Sequence, residues 1–114
     1  MNEYECKITK VVDGDTVDAL INLGFNVILR QRVRMHGIDT PESRTTNLEE
    51  KARGLAAKAR LEELLQETDY RVILRSYGLG KFGRCLGELL SNGRSINQLL
   101  VEEGHAKAYY GGKR

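Results

Sequence analysis

Tryptophan is absent from this chain, proline occurs once, and cysteine, methionine, histidine and phenylalanine occur twice each. A single proline excludes a Pro-rich disordered chain, and the 12 glycines among 114 residues follow no collagen-like period. The two cysteines, Cys6 and Cys85, are too few for a disulfide framework and lack the spacing of a thiolate metal site. Each falls in a segment that reads as strand, so buried, reduced thiols are expected, although spacing alone leaves a bridge between them open. No apolar run approaches the roughly 18 residues of a membrane span. The amino end, Met1 to Cys6, carries two acids and no apolar stretch. It therefore reads as no secretory signal, and a cytoplasmic location is expected if the chain is the whole product. The excess of positive charge is small, 18 Lys and Arg against 16 Asp and Glu, and a net of +2 is too mild to mark a nucleic-acid binder by itself.

What remains is an ordinary globular composition, 40% apolar and 30% charged, over a length that suits one domain, residues 1–114, with a modest core. Nothing in it resembles a coiled coil, and a monomer is the default expectation.

The first half has the period of strands. Cys6 to Val12 is β-like and stops at Asp13-Gly14-Asp15, a strong turn signal. Val17, Ala19, Ile21 and Leu23 then recur at every second position, and Asn22-Leu23-Gly24 suggests the next turn. Beyond it, Val27, Leu29, Val33 and Met35 alternate with Arg30, Arg32 and Arg34, which places apolar residues on one face of a strand and guanidinium groups on the other. The middle changes period: Leu48, Ala52, Leu55, Ala56, Ala59, Leu64 and Leu65 follow helical spacing. Thr46 with Glu49, or Asn47 with Glu50, offers a capping box at its start. Gly54 weakens this helix by about 1 kcal/mol relative to alanine without ending it. Strands are expected from Tyr70 to Arg75 and from Arg84 to Leu90, joined by a linker with three glycines, Ser76 to Gly83. A last helix from Ile96 to about Glu103 has Ser95 as its cap and Gly104 as its stop. Short early connections make the first three strands an antiparallel meander. The economical arrangement is an α+β domain, mainly β: a five-stranded OB-fold barrel with a helix between strands three and four and a C-terminal helix.

Oxygen-bearing side chains gather at two turns, Asp13 and Asp15 in the first, Asp39, Thr40 and Glu42 in the second. A hard cation takes such ligands without His or Cys. Asp18 and Gly24 stand where an EF-hand started at Asp13 would need glycine and glutamate, so any metal site must combine the two turns in space. Read blandly, Asp-Gly-Asp-Thr is a common turn and Asp-Thr-Pro-Glu a capped turn before a helix. Arg34 and Arg84 could each clamp a phosphate, since a planar guanidinium meets two oxygens at once and stays charged. Arg30 and Arg32 read more simply as a solvated face. His36 and His105 have no recognisable partner and read as packed or surface imidazoles, and there is no nucleophile elbow or Walker loop.

Three separated motifs, Val11-Val12-Asp13-Gly14-Asp15-Thr16-Val17, Arg34 through Gly37-Ile38-Asp39-Thr40-Pro41-Glu42, and Lys81-Phe82-Gly83-Arg84, resemble those of the thermonuclease (staphylococcal nuclease-like) family in order and separation. The resemblance runs from about Tyr4 to Tyr110 and includes Ile96 to Gly104, similar to the family's helix after the fifth strand. It implies a Ca²⁺-dependent endonuclease on a five-stranded barrel, cutting DNA and RNA to leave 3′-phosphates, with a preference for single strands. By position, Asp15 and Asp39 resemble the family's carboxylate ligands to calcium, Thr40 its carbonyl ligand, and Asp13 a carboxylate just outside them. Glu42 resembles its general base, and Arg34 and Arg84 the pair gripping the scissile phosphate. Lys81, Phe82, Tyr109 and Tyr110 fall where substrate contacts are expected. Phe82 stands where many members have tyrosine, which removes a hydroxyl contact. Degenerate members serve as non-catalytic nucleic-acid or protein binding modules, but these lack one or more of the acids or arginines that are all present here.

Overall fold

The structure, a computed structural model, describes residues 2–80 and 83–109. Its elements in chain order are β1 (Glu3–Asp13), β2 (Thr16–Gly24), β3 (Val27–Met35), β4 (Ile38–Asp39), α1 (Leu48–Gln66), β5 (Arg71–Leu79), β6 (Cys85–Ser91), β7 (Arg94–Ser95), α2 (Ile96–Glu102) and β8 (Lys107–Ala108). The strand order β3-β2-β1-β5-β6-β7, with an additional β3–β6 pairing, closes the five long strands into a barrel. That closing pair is parallel, with Arg34 opposite Leu86, and the other pairings of the sheet are antiparallel. The expected fold class is observed, with α1 between the third and fourth long strands. The two-residue strands β4, β7 and β8, too short to show a period in sequence, are additions to it, and β4 pairs β8.

Period-two alternation fills the barrel. Val17, Ala19 and Ile21 of β2 and Val33 and Met35 of β3 are buried, and they meet Leu74 of β5 and Leu89 of β6. Helix α1 buries Gly54, Ala57, Leu61, Leu64 and Leu65, a stripe at three- and four-residue steps, against this core. Of the two possible caps, Asn47 is the one used, its side chain accepting from the Glu50 N–H at 3.0 Å. Ser95 caps α2 through Gln98 N–H at 3.1 Å. Asn97, buried in the first turn of α2, accepts from Leu89 N–H and donates to His36 and Gly87 carbonyls (3.1, 2.8 and 3.2 Å), joining that helix to β6 and the turn after β3. Cys6 and Cys85 are both buried and free, as expected. Burial pushes the Cys6 thiol up to about 12, with the neighbouring Cys85 adding to the effect.

The structure differs from the sequence reading at element boundaries and in the buried face of α1. Leu48, Ala52, Leu55, Ala56 and Ala59, whose spacing marks the helix, are exposed, and of that set Leu64 and Leu65 are buried, because the first turns of α1 pack against the two turns through Gly54 and Ala57. The turn between β2 and β3 is at Phe25 and Asn26, both at positive φ (53° and 62°), one step beyond the expected Asn22-Leu23-Gly24. Leu23, Val27 and Leu29, which share the apolar face of the alternating pattern, are exposed. Alternation identifies a face but not whether anything covers it. Strand β5 runs on to Leu79, through residues assigned to the glycine linker, because a bulge between Ser76 and Leu79 keeps it paired with β6. Among the described residues no helix is long and apolar enough to cross a membrane.

Candidate active site

Two turns separated in sequence are tied together at one end of the barrel. The backbone carbonyl of Asp15, in the β1–β2 turn, accepts from Met35 N–H at 2.8 Å. Its buried carboxylate accepts from the Thr40 N–H through Oδ2 (3.0 Å) and from the Thr16 hydroxyl through Oδ1 (2.9 Å). The same oxygen, Oδ2, lies 3.5 Å from Arg34 Nη2, and that nitrogen also lies 3.4 Å from Asp39 Oδ1. One cationic nitrogen therefore faces both carboxylates, with the Arg34 side chain only 15% exposed. Arg34 Nη1 donates to the Met35 carbonyl at 2.9 Å, which fixes the plane of the guanidinium.

Around this centre a pocket of about 380 Å³ is lined by Asp13, Asp15, Arg34, Glu42, Arg84 and Tyr109, with Thr40, Arg32 and Arg44 beside them. Asp13 Oδ1 accepts both the backbone N–H and the hydroxyl of Ser43, so it anchors the segment that carries Glu42. Glu42 itself is exposed at the pocket, and its N–H donates to Glu50 Oε2 at 3.2 Å. Behind it α1 comes so close that a Cβ on Gly54 would lie 2.4 Å from the Glu42 carbonyl oxygen. Gly14 is similarly enclosed, its Cβ direction blocked by Ala57 at 2.8 Å and Thr40 Oγ1 at 3.0 Å. Two small residues of α1, Gly54 and Ala57, thus let the helix brace both turns. Arg84 is placed by its loop: Gln31 Nε2 donates to the Gly83 carbonyl (2.6 Å), and the Arg84 carbonyl accepts from Gly80 N–H (2.7 Å). Tyr109 is held beside the turn after β3 by its N–H to the Gly37 carbonyl at 2.8 Å.

The structure brings together Asp13, Asp15, Arg34, Thr40, Glu42, Arg84 and Tyr109 at one pocket, and Asp39 through its contact with Arg34. Lys81, Phe82 and Tyr110 lie outside the described residues. Sequence reasoning missed Arg44, adjacent to the Pro-Glu turn, and it left Arg32 as solvated; Arg32 both lines the pocket and pairs with Asp18 at 2.8 Å. It also missed Ser43 and Gly54, whose partners are 30 and 12 positions away in the chain and leave no periodic trace. His36 stacks on Tyr77, ring centroids 4.3 Å apart, a packed imidazole as expected. A larger groove of about 560 Å³ on the β1–β5 side holds a single carboxylate, Glu5, and so offers no paired-acid chemistry.

Among the described residues no three His, Cys, Asp or Glu side chains gather at one point. The donor set here is two carboxylates that already face one cationic nitrogen, with the Thr40 main chain adjacent. Such all-oxygen ligation, completed by water, fits a hard cation and not zinc. The rest of the pocket supplies the exposed carboxylate of Glu42 and the guanidinium groups of Arg32, Arg34, Arg44 and Arg84, the complement of a phosphodiester and an attacking water.

Comparison with known proteins places the chain among relatives. Residues 32–114 match the family described as staphylococcal nuclease homologue. The chain is 31% identical over 95% of its length to the endonuclease YhcR of Bacillus subtilis, covering 9% of that protein. It is 28% identical over 96% of its length to the thermonuclease of Staphylococcus hyicus, covering 62% of it. It is also 28% identical over 91% of its length to an uncharacterized endonuclease of Haemophilus influenzae, covering 52% of it. The chain thus spans less than two thirds of each of these relatives. With the family model spanning most of the chain and the barrel and paired-acid pocket in place, the chain belongs to the staphylococcal nuclease homologue family.

Proposed function

We propose that this protein is a calcium-dependent endonuclease that hydrolyses phosphodiester bonds of DNA and RNA, leaving 3′-phosphate ends. The observation that carries the reading is the single Arg34 nitrogen facing Asp15 and Asp39 at a pocket that also holds Glu42 and Arg84. Asp15, Asp39 and the Thr40 carbonyl would hold the calcium, and Asp13 keeps the Glu42 segment in register through Ser43. When bound, the ion neutralises the charge that grows on the phosphoryl oxygens as water attacks.

This chain's residues do the rest. Arg34 and Arg84 bind the nonbridging oxygens of the scissile phosphate, and their donors are worth most where charge develops. An entering phosphate competes with the two carboxylates for Arg34. Glu42 accepts a proton from water aligned opposite the leaving 5′ oxygen. The new bond to phosphorus forms as the bond to that oxygen breaks; the departing 5′ oxygen takes a proton from solvent and the phosphate stays on the 3′ side. A carboxylate is a weak base near neutral pH, so its effect rests on being held in position, here by Glu50 on its N–H and by Gly54 behind it. Contacts made to phosphate and not to base edges account for acting on either nucleic acid.

The test is incubation of the protein with heat-denatured DNA in Ca²⁺ or in chelator, with the ends of the fragments determined. Cleavage that requires Ca²⁺ and leaves 3′-phosphates is expected, with Glu42→Gln and Arg84→Gln folded but slower by several powers of ten. Binding without cleavage under every metal would make the domain a non-catalytic module. Full activity with Mg²⁺ and none with Ca²⁺ would overturn the choice of ion.

A further inference from the structure

We propose that the outer face of β3 is a track for a single-stranded polynucleotide, which leaves the active site along successive guanidinium groups of Arg34, Arg32 and Arg30. The proposal rests on the nuclease reading for its starting point, since Arg34 is the innermost of the three.

The β2–β3 register is unbroken from Thr16 opposite Arg34 to Asn22 opposite Ile28. Even-numbered residues of β3 therefore share one face over this length, while Val33 and Met35 point into the core. At a strand rise of about 3.4 Å per residue, the three Arg backbone positions follow one another at about 7 Å. That step is commensurate with the phosphate spacing of an extended single strand. Arg34 and Arg32 both line the active-site pocket, so the track is continuous with it.

Beyond Arg34, whose guanidinium faces Asp15 and Asp39, charge on this face is not balanced. The residues opposite on β2 are Thr16, Asp18 and Leu20. Asp18, the acid among them, is shared between Arg32 and, across the β1–β2 pairing, Lys10. It accepts from Arg32 Nε and Nη2 at 2.8 and 3.2 Å, which leaves Nη1 of an exposed guanidinium for another anion. Exposed pairs of this kind are worth only about 0.2–1 kcal/mol, so a phosphate can share or displace Asp18. Arg30 is exposed and stands opposite Leu20, and its side chain makes no hydrogen bond or ion pair with any described residue. A polyanion threaded from the pocket matches the whole row. Phosphate contacts of this sort supply grip without sequence preference.

The experiment is fluorescence anisotropy of a labelled oligothymidylate about a dozen nucleotides long, in chelator so that nothing is cut, over a range of salt. Removing one arginine from the phosphates it grips should lower the slope of log K against log salt by about 0.7 for a single strand. Arg30→Gln is expected to do this and to weaken binding several-fold at low salt, Arg30→Glu to weaken it further. A trinucleotide, too short to reach, should bind Arg30→Gln and the unaltered protein alike. Arg94→Gln, which removes the same charge from β7, should leave the slope unchanged. An unchanged slope in Arg30→Gln, or an equal loss in Arg94→Gln, would overturn the track. An equal loss on duplex of the same sequence would overturn the single-strand assignment. The two readings separate cleanly: binding through Arg30 by a protein that cuts nothing keeps the track and removes the nuclease. Cutting with an indifferent Arg30 does the reverse.

Discussion

Gly54→Ala is a substitution for which local and tertiary physics have opposite signs. Inside a helix, alanine for glycine is favourable by about 1 kcal/mol. In this fold the added methyl would lie 2.4 Å from the Glu42 carbonyl oxygen, 2.5 Å from its carbon and 2.7 Å from the Pro41 oxygen. All three are backbone atoms, so no side-chain rotation relieves the contact. Restoring ordinary contact at 3.4 Å or more moves the Glu42 main chain or α1 by about 1 Å. Overpacking of this kind is worth roughly 1–3 kcal/mol against the fold. Set against the helix gain, the net change in unfolding free energy is between about zero and 2 kcal/mol of loss. Activity should fall more than stability. A displacement of about 1 Å at a group acting by position lowers rate by about a hundredfold, close to 2.7 kcal/mol at 1.36 kcal/mol per tenfold. Urea unfolding and kcat/KM on denatured DNA, measured on the same preparation, separate the two effects. A Gly54→Ala protein that is more stable and fully active would refute the reasoning, because it would mean that the helix does not brace Glu42.

Other outcomes follow from single features. Asn97→Ala takes the buried side-chain partner from the Leu89 N–H and the His36 carbonyl and one of two donors from the Gly87 carbonyl, which keeps the His36 N–H. Unfolding free energy in urea should fall by about 3 kcal/mol, and a loss under 1 would contradict the assignment. Phe25 is fully exposed with φ at 53°, so Phe25→Gly should raise stability by about 1 kcal/mol; a lower melting temperature would show that the ring is held by something. The Cys6 thiol, ordinarily 9.0, is raised to about 12 in the folded protein. The unfolded chain therefore loses its proton first, and stability falls as pH rises through this window, by up to about 1.4 kcal/mol per unit. Cys6→Ala should show a shallower alkaline decline, and an identical decline would place the thiol at its ordinary value in the fold.

The long strands and both helices are legible because each repeats its signal over many residues: every second position in β2, three- and four-residue steps in α1, although the residues that mark most of those steps, Leu48, Ala52, Leu55, Ala56 and Ala59, are exposed and the buried face runs through Gly54, Ala57 and Leu61. The acids of the two turns were legible for a different reason, since Asp13 and Asp15, or Asp39 and Glu42, are neighbours in sequence and sit in turn contexts. What joins them was not. Asp15 reaches the Thr40 N–H 25 positions away, and Gly54 looks like a defect in a helix until Glu42 lies against it. Arg32 and Arg30 look identical in the alternating pattern, yet one is paired with Asp18 and the other with no described residue. The apolar residues of the β2–β3 hairpin keep the alternation although they are exposed, because alternation reports a face and is blind to whether anything covers it. Lys81 and Phe82 rest on motif alone.

The meeting of the two turns is most directly tested by calorimetric titration of Ca²⁺ into the unaltered protein, Asp15→Asn and Asp39→Asn, each confirmed folded by circular dichroism. One site is expected, weakened at least tenfold by either substitution although the two positions lie in different turns. Calcium binding that survives both changes undiminished would mean that these carboxylates do not share an ion.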